Sequence, residues 1–433
     1  MADLMEKIIS LCKRRGFVYP GSEIYGGLAN TYDYGPLGVE LKNNLKRLWW
    51  QYFVQRREDM VGIDGGVILN PQVWEASGHL EKFKDYLVEC KRCHQRFRPD
   101  KLPSQTKTCP QCGGEFTPPR LFSGMFKTVI GPVEEEGLVT YLRPETAQNI
   151  FINFKNVLNS THRKLPFGIA QIGKSFRNEI TTGNFIFRTI EFEIMELEYF
   201  IAPRADWQKI FNEWLDYIYG FADLLGLSRQ HFFNHELPAG ERAHYSQRTV
   251  DIEYQFPFGQ DELWAIAYRT NYDLSRHQQF SQQDLEYFDD ETKEKYLPHV
   301  IEPTFGLERT FLAVLSEAYT EEKERVVLKF KPYLAPYQAA VFPLLANKPA
   351  LINLARKVYD QLRQEFSVVF DDRGNIGKRY YAQDEIGTPF CLTVDFESLE
   401  KNDLTIRDRD TTKQIRCSIE NLNNFLKDQL KIK

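Results

Sequence analysis

The sequence contains no uninterrupted apolar run near the ~18 residues that a membrane-spanning helix needs. Its first segment, MADLMEKIISLCKRRGF, is charged from the third residue and has neither an apolar h-region nor a small-residue cleavage site, so it does not read as a secretory signal. Tandem repeats and low-complexity tracts are missing, which excludes solenoid and collagen-like chains. Neither GxxxxGKS/T, GxGxxG nor HExxH occurs, and with them go the P-loop, dinucleotide-binding and zinc-protease readings. No nucleophilic triad declares itself, which leaves direct attack with electrostatic stabilisation. Cysteine is scarce: seven among 433 residues, with four between Cys90 and Cys112, and Cys12, Cys391 and Cys417 scattered. An odd total with one tight cluster opposes a disulfide framework and fits a reducing compartment. The expected location is the cytoplasm, with an organellar matrix open if a transit peptide has been removed.

Core-forming residues are plentiful: 42% of the chain is hydrophobic and 14% aromatic, which excludes a disordered protein. The length suggests about three domain-sized units. Net charge is small, with 55 Lys+Arg against 60 Asp+Glu and a formal charge of −5, so a wholly basic nucleic-acid coat is excluded. The charge is uneven, however. Residues 82–130 hold ten Lys+Arg and four Asp+Glu, a local surplus of six positive charges that coincides with the cysteine cluster and reads as a nucleic-acid footprint. Residues 326–433 carry about three surplus positive charges, leaving about −8 on the first 325.

Periodicity predicts helices over about Asp3–Arg15, Gly38–Glu58, 206–225 and Phe305–Tyr319. The second carries Val39, Leu41, Leu45, Leu48, Trp49 and Tyr52 on or near one stripe. Tyr25, Tyr32 and Tyr34 lie in a turn-rich stretch, where pocket wall and packed loop are equally good readings. LPFGIAQIGKSFRNE and NFIFRTIEFEIMELEYF read as antiparallel strands joined by a loop at Thr181–Asn184. A boundary is expected at the charged run Thr320–Arg325, followed by an α/β domain at 326–433. The body over 1–325 is read as α+β, with a small insertion at 82–130.

CKRC at 90–93 and CPQC at 109–112 form two CxxC knuckles separated by 15 residues. Cys90, Cys93, Cys109 and Cys112 supply the four thiolates of a structural tetrahedral zinc site. An iron–sulfur cluster or two redox-active pairs are the alternatives, and His94 reads as a bystander.

Several strand-like segments carry charges that a sheet core would not hold, among them Arg143, Glu191, Glu193 and Glu198. One solvated face accounts for half of these. Arginines are different, because several planar forks near one surface hold phosphate oxygens. Arg177, Arg188 and Arg309, with Glu145, Glu196 and Glu262, suit a nucleotide together with a small cationic or zwitterionic partner.

These residues fall within blocks that resemble the dimeric glycyl-tRNA synthetases, of class II, over nearly the whole chain. EIYGGLANTYDYGPLGVELKNN (Glu23–Asn44) resembles the family's opening signature. The following helix and VILNPQVWEASGH, with Pro71, resemble motif 1, which in the family builds the dimer interface. SFRNE followed by NFIFRTIEFEIME resembles motif 2, and EPTFGLERT (Glu302–Thr310) resembles motif 3; FRPDKL, RPETAQ and DELWAIAYRTNYDLSRH are further similar blocks. The resemblance implies an antiparallel sheet flanked by helices, a zinc-binding insertion and a C-terminal α/β anticodon-binding domain. It implies a homodimer, with no membrane association, that joins glycine to the 3′ end of tRNA(Gly) through glycyl-adenylate, using ATP and Mg²⁺.

Carried onto this chain, the catalytic arginines are Arg177 at the α-phosphate, Arg188 near the phosphates and Arg309 facing the γ-phosphate. The ATP site further takes Asn178, Glu179 at the adenine amino group, Phe187, Thr189, Ile190, Glu191 and Phe192. Glu262 (through Mg²⁺), Leu263, Gly306, Leu307 and Glu308 complete it. Glycine falls to Arg98, to Glu145 and Glu196 at its ammonium, and to Phe192, Glu193, Ile194 and Met195. Glu302, Pro303, Thr304, Phe305 and Gly306 close that pocket. Thr304 stands where serine is common, Ala265 replaces a glycine, Pro99 and Lys101 alter an FRADHL pattern, and Glu308 replaces aspartate or glycine. Competing readings are a synthetase for proline, threonine or histidine, a non-catalytic relative such as the accessory subunit of mitochondrial DNA polymerase, and a zinc-containing nucleic-acid regulator. The Glu145/Glu196 pair and the three arginines oppose the first two. The acidic sheet opposes the third.

Overall fold

The strand Glu191–Ile201 turns alternate side chains to opposite faces, and the protein is built on both. In the computed structural model, which describes residues 2–103, 106–133, 135–180 and 183–432, it lies inside a seven-stranded sheet. The order is Phe232–Glu236, Arg248–Phe256, Gly259–Thr270, His299–Gly306, Glu191–Ile201, Phe167–Phe176 and Met60–Gly62. All neighbours are antiparallel except the last pair, where Met60–Gly62 runs parallel to Phe167–Phe176. The expected α+β body with an antiparallel sheet is therefore present.

Odd positions Met195, Leu197, Tyr199 and Ile201 enter one large apolar core, which also takes Ile301 and Phe305 of the neighbouring strand. Three helices fill that face: Pro36–Trp50, Trp207–Leu225 and Leu307–Ala318. Trp49 and Phe53 meet Phe305 at ring separations of 5.9 and 5.0 Å, so the first of these helices locks onto the sheet through aromatic edges. It ends at Trp50, and a single wide turn, Gln51–Gln55, continues it. Val39 is exposed there, unlike the expected stripe, while Leu37, Leu41, Leu45, Leu48 and Trp49 are buried. The even positions of Glu191–Ile201 face the other way. Phe200 packs with Ile169 under the helix Ala147–Thr161, and the rest of that face carries Glu196 and Glu198 beside Phe192 and Ile194.

Two local readings differ from expectation, and one open alternative is resolved. NFIF does not extend the strand; Phe185–Phe187 forms one 3₁₀ turn, and Asn184 and Phe185 have positive φ, so the apparent alternation belongs to a turn. Of the predicted joining loop, Thr181 and Thr182 lie outside the described residues. Tyr32 and Tyr34 are packed against Phe185 and Phe311, whereas Tyr25 is exposed. Finally, the charged run at 320–325 is the tip of a hairpin, Tyr319–Glu321 paired with Val326–Leu328, and Phe330 and Leu334 beyond it still join the first core.

The last sheet has its own core, which starts at Ala339. Its order is Val368–Phe370, Ala339–Pro343, Phe390–Val394, Asp403–Asp408 and Gln414–Ser418, parallel for the first three strands and antiparallel for the rest. The insertion holds a three-stranded sheet (Arg96–Phe97, Lys84–Glu89, Arg120–Ser123), and its last strand, Lys127–Ile130, pairs with Leu138–Tyr141 beyond it.

Asp384, fully buried, ties the hairpin to the last sheet: it accepts from Arg325 at 2.7 Å and from both Arg407 terminal nitrogens at 2.8 and 2.9 Å. Removing it leaves two guanidinium groups without their buried acceptor. Asp384→Ala is expected to cost about 3–5 kcal/mol of folding free energy, read from the midpoint of guanidinium chloride unfolding; a loss below about 1 kcal/mol would mean that water replaces the carboxylate.

Candidate functional site

The even face of Glu191–Ile201 opens into a depression with two ends. At one end the wall is apolar: Ile186, Phe187, Phe192, Ile194 and Leu263. Cations and their partners rim it, with Arg309 lying over the Phe187 ring at 4.5 Å and pairing with Glu262 at 3.1 Å. Arg177 donates to the Pro144 carbonyl at 3.0 Å and faces the Phe192 ring at 5.4 Å. Arg188 stands 3.7 Å from Glu179. The Arg177 backbone N–H donates to the Ile190 carbonyl, so Ile190 helps to fix this turn through its main chain. Thr189, Gly306 and Glu308 complete the wall. Such a slot holds a flat heteroaromatic ring and offers forks to an anion.

The other end is a wider cavity of ≈ 670 Å³, and Arg177, Arg188, Glu262, Thr304 and Arg309 line both ends. The strand register sets a row across its floor. Glu196 lies opposite Gln171 and Thr304, and Thr304 lies opposite Ala265, which itself lies opposite Asp251. Ala265 and Ala267 keep the floor low, while Glu145, Glu196 and Glu302 supply carboxylates. Glu196 accepts from the Thr146 N–H at 3.0 Å, the Thr146 hydroxyl at 2.6 Å and the Thr304 hydroxyl at 3.2 Å. The Thr304 hydroxyl thus fixes a carboxylate, which a serine in its place would also do.

Electrostatics divide these acids. Burial and the neighbouring Glu145 charge raise the Glu196 carboxyl. Glu145 is also pushed up by burial, but His79 and Arg269 outweigh that and hold it well below the usual range. Burial raises Glu302 despite Arg269, which donates to it at 2.6 Å. Glu198, fully buried with both oxygens unpartnered, is raised further by burial and by Glu302. Asp251, half-buried near Glu262, is pushed up to about 7 by burial and by that neighbour.

Pleating removes other expected side chains from the cavity. Glu193 turns to the helix face and pairs with Lys42 at 2.7 Å and Lys46 at 3.1 Å; Met195 and Phe305 are core residues. Glu191 pairs with Lys174 at the surface, Leu307 is in the core, and Pro303 points away between Glu302 and Thr304. Arg98 and Asn178 do line the wide end, Arg98 held by Asp85 at 2.7 Å and Asp100 at 2.9 Å. Arg143 is a clamp rather than a ligand group. It donates to the Lys174, Gly65 and Gly66 carbonyls and lies over Gly173, where a Cβ would fall 2.1 Å from its Nη2.

Sequence reasoning missed the support beneath the carboxylates: Arg269, Asp273, Tyr245, Gln148 and His79. Arg269 is fully buried, chelates Asp273 at 2.8 Å through two nitrogens and stacks 3.6 Å from Tyr245. The i,i+4 spacing of Arg269 and Asp273 inside YRTNYD was the available signal.

In the insertion, the Cys90–Cys112 and Cys93–Cys109 sulfurs are 3.4 and 3.6 Å apart, and all four lie within 4.8 Å of one another. Tetrahedral zinc with bonds of ≈ 2.3 Å needs sulfurs about 3.8 Å apart, so the donor set fits that ion. The two knuckles share one backbone device: His94 and Gly113, each following its second cysteine, adopt positive φ. His94 points at Glu89, 3.1 Å away, rather than at the sulfurs. Among the described residues no helix is long and apolar enough to cross a membrane.

Comparison with known proteins accounts for this arrangement. A family model described as tRNA synthetase class II core domain (G, H, P, S and T) matches residues 128–318, and one described as anticodon binding domain matches 338–429. Glycine--tRNA ligase of Thermobifida fusca is 51% identical, covering 99% of this chain and 98% of the relative. The same-named protein of Geobacillus thermodenitrificans is 50% identical over 98% and 97%. A solved structure of prolyl-tRNA synthetase from Cryptosporidium parvum, complexed with halofuginone and AMPPNP, superposes with a TM-score of 0.67 over 98% of this chain and 74% of that one; at 16% identity it speaks for the fold alone. With sequence, fold and relatives in agreement, the chain belongs to the glycine--tRNA ligase family of class II aminoacyl-tRNA synthetases.

Proposed function

We propose that this chain activates glycine with ATP and transfers it to tRNA(Gly), with the two ends of the depression dividing the substrates. The observation that carries the reading is the continuity of an arginine-rimmed apolar slot with a carboxylate-lined pocket floored by alanines. ATP occupies the slot, its base between Phe192 and the Phe187–Arg309 pair. A glycine carboxylate oxygen attacks the α-phosphorus, the bond to the β-phosphate oxygen breaks, and pyrophosphate leaves. Arg177 neutralises the charge that builds on the α-phosphate, and Arg188 and Arg309 hold the polyphosphate. Glu262, with Asp251 across the strand pair, offers the hard oxygen donors that suit Mg²⁺ accompanying ATP. In the second step the 3′-terminal ribose hydroxyl attacks the carbonyl carbon of the adenylate, and AMP leaves.

Glu145 and Glu196 receive the α-ammonium. Selection of glycine comes from the low floor beside Thr304, since the substrate has no side chain to grip and larger ones meet the wall. Glu302 acts beneath the pocket through Arg269. The zinc knuckles carry no step; zinc bound by Cys90, Cys93, Cys109 and Cys112 would hold the basic insertion in shape. That insertion also reaches the site, where Arg98 lines the wide end, and it lies toward the acceptor stem of bound tRNA. The 338–429 region takes the anticodon. A second copy of the chain covers Ile24 and Tyr25, which are 89% and 87% exposed, as a homodimer.

Amino-acid-dependent ATP–pyrophosphate exchange tests the reading, with exchange expected for glycine alone; exchange with another amino acid, or none, refutes it. Arg177→Ala is expected to lower the exchange rate by roughly 10²-fold or more, and an unchanged rate removes its assigned role. Replacing the four cysteines with serine should lower tRNA affinity in a filter-binding assay while sparing exchange; equal loss of both means the knuckles only support the fold. Ile24→Asp with Tyr25→Asp is expected to shift the sedimentation coefficient from dimer to monomer.

A further inference from the structure

Behind Glu145 lies a buried relay that none of the roles above includes. Gly78, at positive φ, turns the chain into the short helix His79–Lys82 and brings His79 under the pocket. The imidazole is buried, edge-on to Trp74 at 5.5 Å and tilted against Phe83 at 5.8 Å. Its Nδ1 lies 2.8 Å from the Ser77 hydroxyl, and its Nε2 lies 3.3 Å from Glu145 Oε2. The other carboxylate oxygen accepts from Gln148 at 2.9 Å.

Proton positions follow from what each group is able to do. Glu145 is held ionised and only accepts, so the ring nitrogen facing it, Nε2, carries a hydrogen. His277 is pushed down to about 4, chiefly by burial, and is neutral; its Nε2–H donates to Gln148 Oε1 at 2.8 Å. That contact sets the Gln148 amide so that its NH₂ faces both Glu145 and Asp273. Each oxygen of Glu145 is thus approached from behind, and the remaining lone pairs face the cavity.

We propose that His79, oriented by Ser77, is a positioning residue that holds the Glu145 carboxylate for an α-ammonium and so sets affinity for glycine rather than for ATP. This deepens the functional reading above and rests on it. Glycine presents only an ammonium and a carboxylate, so no side-chain contact compensates for a misdirected glutamate. Groups that orient a liganding side chain carry much of its effect, about 10–100-fold in well-studied metal sites. The direct polar contacts of His79 are with Ser77 and Glu145, and it reaches the arginine-rimmed slot through Phe83, whose ring lies 5.8 Å from the Arg177 guanidinium, so its loss acts first on glycine.

The test is steady-state ATP–pyrophosphate exchange with the full-length protein, varying glycine and ATP separately for His79→Ala, His79→Gln and Ser77→Ala, with thermal unfolding alongside. For His79→Ala the KM for glycine is expected to rise about ten-fold, with the KM for ATP within about two-fold of wild type. His79→Gln, which keeps an N–H donor, should recover part of the loss, a rescue that a purely structural role would not produce. Equal changes in both KM values, or an unchanged glycine KM in a folded variant, overturn the proposal. Should His79→Ala fail to fold, a wild-type glycine KM in both His79→Gln and Ser77→Ala overturns it. Wild-type protein without glycine-dependent exchange would instead refute the functional reading, so the two failures are separable.

Discussion

Arg269 is a fully buried guanidinium, and the pocket depends on it being there. Taking an ion from water into a protein interior costs several kcal/mol, and only close, well-directed partners offset that. Its partners are Asp273 through two nitrogens, Glu302 through a third and the Tyr245 face. Each is tied to something else. Asp273 accepts from Gln148, which holds Glu145; Glu302 fixes the strand on which Thr304, two residues on, bonds Glu196. One cation therefore joins the strands Gly259–Thr270 and His299–Gly306 to the N-terminal turn of the helix Ala147–Thr161.

The pleat supplies the second constraint. A period of two puts Phe192, Ile194, Glu196 and Glu198 on one face and Glu193, Met195 and Leu197 on the other. The second face is dry, and Glu193 is tolerated there because Lys42 reaches it and Glu308 together, in a buried triad of helix and strand. Burial lowers the Lys42 amine's pKa and the two carboxylates raise it; the carboxylates prevail. Parity thus separates neighbouring glutamates of one continuous strand: Glu193 joins an inter-element pair and Glu196 faces the cavity.

Much of this was legible before any coordinates. Helix stripes marked Trp207–Leu225 and Leu307–Ala318, CxxC spacing marked the knuckles, and the motif blocks marked Arg177, Glu196 and Arg309. The illegible part depends on partners distant in sequence. Nothing local says that Glu193 meets a helix 147 positions earlier, or that His79 meets Glu145. Phe185 and Phe187 alternate like a strand, yet left-handed backbone at Asn184 and Phe185 makes a turn. The TEEKER run has a linker's composition, but Arg325 finds Asp384 and closes a hairpin. Overall charge was the least informative quantity, since it averages a basic insertion with an acidic body.

The acidic body has a physical consequence for ligand choice. Glu145, Glu196, Glu198, Glu302 and Asp273 crowd around one guanidinium, and burial makes Glu196, Glu198 and Glu302 resist ionisation. With carboxyl groups in excess over cations, a compact cation with several donors is the group that suits this end of the depression best. An α-ammonium has three N–H bonds and no bulk. Every amino acid but proline carries one, so charge alone does not discriminate among them. On the proposed reading, discrimination falls to the row of Glu196, Thr304 and Ala265 across the floor, where the alanine leaves the floor low. The carboxylates thus provide attraction and the floor provides exclusion, and the first is common to nearly all amino acids while the second is not.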